Sequence, residues 1–149
     1  MSIANLCSRE VVVVGRDTTA EQAAQLMRQN HVGDLVIVDE VEGKAKPAGI
    51  VTDRDIVLSV VATGLDPKVF TVGDLVFEKL VTCPQSTGLY EAIQLMRMHG
   101  IRRIPVVDEE ESLVGILTVD DIVQLMSEEM AELGKLITKE QAHEAEARK

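Results

Sequence analysis

Two stretches of the chain hold the residue types best suited to chemistry. Gly49-Ile50-Val51-Thr52-Asp53-Arg54-Asp55 and Gly115-Ile116-Leu117-Thr118-Val119-Asp120-Asp121 share the pattern Gly-h-h-Thr-x-x-Asp, where h is apolar. The pattern predicts a strand that ends at the threonine and a helix that begins there. Thr52 or Thr118 then caps the helix by accepting a first-turn N–H, and Asp55 or Asp121 takes the third helical position. Two kinds of chemistry fit. One is a capping box, which stabilises the helix by about 0.5–2 kcal/mol and does nothing more. The other is a ligand site. A helix N-terminus draws in phosphate, and a carboxylate beside it accepts hydrogen bonds from the hydroxyls of a ribose. An adenine ring would need a flat apolar slot, which the Val-rich first strands can supply.

Other reactive side chains form no constellation. His31, His99 and His143 lack the spacing of a metal site. Cys7 and Cys83 have no His or Lys neighbour to activate a thiolate and are expected as small core residues. The carboxylate pairs Asp53/Asp55 and Asp120/Asp121 suggest acid–base work or a divalent cation, but nothing nearby completes such a site. The sequence therefore predicts no catalytic residue, no metal and no enzyme.

The elements that position the two motifs are duplicated. Shifted by 69 residues, positions 3–40 fall on 72–109 without a gap: Gln25-Leu26-Met27-Arg28 lands on Gln94-Leu95-Met96-Arg97, and Val38-Asp39-Glu40 on Val107-Asp108-Glu109. Three extra loop residues around Gly43–Lys46 then lower the offset to 66, and the two Gly-h-h-Thr motifs coincide. Each copy reads β-α-β-β-α. The strands are expected at Val11–Val14, Leu35–Val38 and Ala48–Thr52, and again at Val81–Cys83, Ile104–Val107 and Leu113–Thr118. Asp17 or Thr18 is expected to cap the first helix, with Ala20, Ala23, Ala24 and Met27 on its core face. Ser86 or Thr87 is expected to cap its counterpart, with Leu89, Ala92, Ile93 and Met96 inward. Strands this apolar must be covered by helices, so the fold class is α/β (α+β), two small halves sharing one core.

The duplicated pattern, the two Gly-h-h-Thr-x-x-Asp motifs and the run Ile101-Arg102-Arg103-Ile104-Pro105-Val106-Val107-Asp108 resemble the cystathionine-β-synthase (CBS) domain family over about residues 3–126. The resemblance implies two repeats packed as a pseudo-two-fold pair, a stand-alone Bateman module. Repeat 1 would be residues 1–64, a linker 65–71, repeat 2 residues 72–126, and a C-terminal helix and tail 127–149. It implies two clefts for an adenosine-containing ligand: AMP, ADP, ATP, S-adenosylmethionine or a cyclic dinucleotide. Asp55 and Asp121 would hold ribose hydroxyls, with Thr52 and Thr118 by the sugar and α-phosphate and Asp120 at the edge of the second motif. The Asp55 cleft would add Val81, Ile101 and Arg102, with Arg54 at its phosphate end. The Asp121 cleft would add Arg103, Val12, Val32 and Gly33. Arg103 aligns with Asp34, so the resemblance makes the Asp121 cleft the stronger site. Such pairs commonly regulate enzymes or channels, and here the chain leaves no room for a catalytic domain. The expected function is a sensor; the alternative is a structural dimerisation or adaptor module with empty clefts.

Composition bounds the rest. Hydrophobic residues reach 46%, which supports a globular core, and aromatics only 2%, so aliphatic side chains and methionine must build it. The net charge of −10 argues against nucleic acid or an anionic membrane as partner. No signal sequence or membrane span is expected, so a cytoplasmic protein with reduced thiols is. Leu125, Met126, Met130, Leu133, Leu136 and Ile137 stripe a C-terminal helix that is expected to fray past Thr138. The second helices, Ile56–Val61 and Ile122–Met126, are the expected surface of a homodimer.

Overall fold

Alternating runs of Val, Ile and Leu bounded by Gly and Asp form two three-stranded sheets in a computed structural model that describes residues 1–76 and 78–149. The first sheet has the order β1 (Val13–Val14), β2 (Asp34–Val41), β3 (Lys44–Thr52). β1 runs parallel to β2, with α1 (Ala20–Asn30) as the crossover, and β2 is antiparallel to β3. The second sheet repeats this with β4 (Cys83–Pro84), α3 (Leu89–His99), β5 (Arg103–Val107) and β6 (Leu113–Thr118). Helix α2 (Asp53–Ile56) follows β3 and passes directly into a π-helical stretch, Val57–Val61; α4 (Val119–Ala147) follows β6. Residues Met1–Leu117 form one compact unit and Thr118–Lys149 a second.

Several local details differ from the sequence expectation. The residues expected as a loop, Gly43–Lys46, mostly extend a hairpin. Val41 pairs with Lys44, and the two residues between them, Glu42 and Gly43, have φ of 54° and 77°. Two successive positive φ angles are what a tight hairpin turn of the I′ kind requires. Helix α1 is capped by Thr19, not Asp17 or Thr18: its side chain accepts the Gln22 N–H while Gln22 accepts the Thr19 N–H. Helix α3 starts after Gly88 with no side-chain cap. Ala20, Ala23 and Met27 are buried, but Ala24 faces out. Glu110 contacts Lys44 through its carboxylate and Lys46 through its backbone carbonyl. Helix α4 does not fray at Thr138; it stays helical to Ala147 and through Gly134.

The sequence copies are not the structural halves. Each copy sends its leading segment onto the other, through the same hydrogen bonds. Ile3 N–H donates to Thr87 O at 2.9 Å, and Val72 N–H donates to Thr18 O at 2.7 Å; these are one bond repeated 69 residues apart. Leu89 N–H to Met1 O (3.0 Å) and Ala20 N–H to Phe70 O (2.8 Å) repeat in the same way. Val72 and Leu75 of the second copy thus join Val14, Ala20, Ala23, Leu35, Ile37 and Val51 in the core of the first. Exchange lets each small half bury side chains it could not cover alone.

The exchange also explains the glycine that opens each motif. A Cβ at Gly49 would stand 2.9 Å from a methyl of Val76. A Cβ at Gly115 would stand 2.7 Å from the Ser8 carbonyl oxygen and 2.8 Å from Cys7 Sγ. The arm lies so close on the strand that only a residue without a side chain fits.

Candidate functional site

β3 delivers Thr52 to the start of α2, and the local geometry is a capping box. Thr52 Oγ1 accepts the Asp55 N–H at 3.1 Å, and Asp55 Oδ2 accepts the Thr52 N–H at 2.8 Å. In the other unit Thr118 and Asp121 form the same box, both bonds at 3.1 Å. The capping role is therefore realised in both copies. It is not diagnostic by itself, because Asp74 Oδ2 also accepts the Thr71 N–H at 3.1 Å in a Thr-x-x-Asp that follows no such strand.

Beside Thr52 and Asp55 lies a cavity of about 460 Å³. Its walls come from both sequence copies within the first unit: Gly49, Ile50, Thr52 and Asp55 from one, and Leu75, Val76, Glu78, Lys79, Leu80, Val81, His99, Ile101, Arg102 and Arg103 from the other. The volume lies in the range of small-molecule sites. The apolar wall of Ile50, Val81, Leu80 and Ile101 suits a flat ring. Three cations, Lys79, Arg102 and Arg103, line it against two carboxylates, Asp55 and Glu78. The lining thus offers cationic donors for an anion in a chain of charge −10, one of them, Arg103, also in contact with Asp34.

The box leaves this end of the cavity with useful capacity. Among the described residues Asp55 Oδ1 has no hydrogen-bond partner, and a carboxylate offers about four lone-pair sites. The Thr52 hydroxyl accepts one bond and keeps its own hydrogen to donate. A vicinal diol on Asp55 and an anionic oxygen on Thr52 are both within its chemistry.

The expected site residues separate on this geometry. Thr52, Asp55, Val81, Ile101 and Arg102 come together on the cavity wall. Arg54 is exposed and does not line it; Asp53 Oδ1 accepts its backbone N–H. Arg103, placed by the resemblance in the Asp121 cleft, lines the Asp55 cavity. Its Nε stands 3.0 Å from Asp34 Oδ2, a charge contact without a well-aligned hydrogen bond. Arg103 and Asp34 are equivalent positions of the two copies, so they were expected to serve separate clefts; instead they meet each other. Burial pushes the Asp34 carboxyl above the usual range, with Arg103 opposing and Asp53 adding to the rise. Val12 is partly buried against the first core, Val32 is exposed, and Gly33 O accepts the Asp53 N–H at 3.0 Å. Asp120 is exposed in the first turn of α4.

Sequence reasoning missed Lys79, Glu78 and His99. The duplication held a signal for the first: Lys79 aligns with Glu10 at the 69-residue offset, a charge reversal at one edge of the repeat. Among the described residues no group of three His, Cys, Asp or Glu side chains could hold a metal ion, and no helix is long and apolar enough to cross a membrane.

Comparison with known proteins gives concordant results. A family model for the CBS domain matches residues 3–62 and again 72–128. An uncharacterised protein of Methanopyrus kandleri is 36% identical over 125 residues, which is 84% of this chain and 62% of the relative, so the chain spans less than two thirds of that protein. The solved structure of hypoxic response protein I, which holds two coordinated zinc ions, matches with a TM-score of 0.73 and 34% identity, covering 83% of this chain and 98% of that one; a Mycobacterium tuberculosis relative of nearly the same name is 36% identical over 118 residues, 79% of this chain and 80% of the relative. A CBS domain protein of Pyrobaculum aerophilum complexed with AMP matches with a TM-score of 0.72 and 28% identity, covering 81% of this chain and 89% of that one.

Proposed function

Because the chain belongs to the CBS-domain family, we propose that it is a regulatory module that binds an adenosine-containing ligand (AMP, ADP, ATP or S-adenosylmethionine) without turning it over. The observation that carries this reading is the 460 Å³ cavity, which sets Asp55 and Thr52 at one end and Lys79, Arg102 and Arg103 around an apolar wall. Asp55 takes the ribose hydroxyls, the aliphatic wall takes the base, and the cations take phosphate. The AMP complex of the Pyrobaculum relative supports the ligand class. Because Arg103 lines the Asp55 cavity, this cleft is the stronger anion site, which reverses the order expected from sequence.

A second ligand site on Thr118, Asp120 and Asp121 is part of the same proposal. So is a homodimer formed through the second helices, where Val57, Leu58, Val61, Val123 and Met126 are exposed. The compartment proposed is the cytoplasm, where the Cys7 and Cys83 thiols stay reduced.

The test is a thermal-shift screen of the full chain against adenine nucleotides, guanine nucleotides and S-adenosylmethionine, with chromatography of each ligand afterwards. The expected result is a rise in Tm with at least one adenosine ligand, recovered intact. No shift with any of them supports the structural adaptor with empty clefts. A hydrolysed ligand makes the protein an enzyme.

A further inference from the structure

Helix α4 carries an apolar pattern that the cavity does not use. Val123, Met126, Met130, Leu133 and Ile137 recur at alternating spacings of three and four residues. That is the heptad period, with Val123, Met130 and Ile137 at a positions and Met126 and Leu133 at d positions. These side chains are exposed, from 49% at Met126 to 69% at Met130, and Leu136, 62% exposed, widens the seam. Most charges lie on the opposite face: Lys135 pairs with Glu132 at 2.8 Å, and Gln124 donates to Glu128 at 3.1 Å. One flank of the seam is Ser127, Gly134 and Gln141, so nothing bulky or charged holds a neighbour away there.

The residue types favour one occupant, an identical helix. β-Branched residues at a (Val123, Ile137) with leucine at d (Leu133) favour two parallel strands. Covering the stripe in a symmetric pair removes on the order of 1,200 Å² from solvent, the lower edge of what stable specific interfaces bury.

We propose that residues 123–137 of α4 form a parallel, in-register, two-stranded coiled coil with α4 of a second copy of this chain. The proposal rests on the dimer reading above and adds which segment joins the copies and in which direction. In a parallel coil d packs against d, so Leu133 meets the partner's Leu133.

Sedimentation velocity of the full chain at micromolar concentration tests it, with circular dichroism to confirm folding. Leu133 is half exposed in the single chain, so a charge there is not buried in a monomer. The wild type runs at twice 16.3 kDa. Leu133→Glu and Leu133→Lys alone each run as monomers, and their equimolar mixture recovers the dimer, because Glu meets Lys across the seam. A wild-type mass of 16.3 kDa overturns the proposal. So does a Leu133→Glu chain that stays dimeric, or a mixture that stays monomeric. An AMP titration of Leu133→Glu reads the ligand proposal separately, since the residues that line the Asp55 cavity are unchanged in that variant.

Discussion

Under the proposed function Asp55 would serve two purposes with one carboxylate: Oδ2 closes the helix cap, and Oδ1 would meet the ligand. The two can be separated. Asparagine still accepts the Thr52 N–H, so Asp55→Asn is expected to keep its Tm within a few degrees. It loses a charge-assisted hydrogen bond to the ribose, a cost of about 1.5–3 kcal/mol, which is on the order of 10–100-fold in Kd. Asp74→Asn alters the Thr71 cap, and neither Thr71 nor Asp74 lines the Asp55 cavity, so it is expected to leave ligand affinity unchanged. Asp34 makes a pH prediction. Its carboxyl is pushed up, chiefly by burial, so ionisation is costlier in the folded chain than in the unfolded one. A raised acid contributes stability that is fully present below its unfolded value and lost as pH rises through the folded value. Asp34→Asn is therefore expected to raise Tm at neutral pH, and the gain is expected to shrink as pH falls toward about 4. Calorimetry at both pH values checks this; a gain that grows at low pH contradicts it. Thr52 and Asp55 were singled out by the motif and Val81, Ile101 and Arg102 by the resemblance, and all five line the cavity. Lys79 and His99 were not singled out. They reach the cavity through the path of a loop and the end of α3, which no local pattern encodes.

At the scale of elements, the duplication made the strand and helix order legible, including β6 to the residue. The exchange of arms was not legible. Aligning two copies shows which residues are equivalent, not which copy each one touches. The motif glycines record that exchange, and they can be tested. Gly115→Ala drives a Cβ against the Ser8 backbone carbonyl, which has no rotamer to yield. It is expected to destabilise the fold by about 1–3 kcal/mol. Gly49→Ala meets only a valine methyl at first contact and is expected to cost less. Gly134→Ala meets nothing within 4 Å and is expected to stabilise the helix by up to about 1 kcal/mol. Urea denaturation ranks the three, and equal midpoints for Gly115→Ala and wild type contradict the close approach. The π-helical stretch Val57–Val61 has no counterpart in copy two, where the aligned residues 123–127 are ordinary α-helix.

For the whole molecule, charge and symmetry set the terms. A chain of net charge −10 repels anions at a distance, so under the proposed function a nucleotide would be held by the cations lining the cavity and not by steering. Binding that is confined to the folded state stabilises it, by about 2.7 kcal/mol at 100 times Kd. Unfolding midpoints should therefore climb with ligand concentration and not plateau at stoichiometry. The pairing of Arg103 with Asp34 puts equivalent residues of the two copies in contact. An anion on Arg103 would compete with this ion pair. The central claim is that the Asp55 cavity is an adenosine-ligand site. Isothermal titration calorimetry of the wild type and Asp55→Asn with AMP, ADP, ATP and S-adenosylmethionine tests it most directly. The expected result is heat of binding with at least one ligand, its affinity reduced on the order of 10–100-fold in Asp55→Asn. Flat titrations with all four ligands, or unchanged affinity in Asp55→Asn, would contradict it.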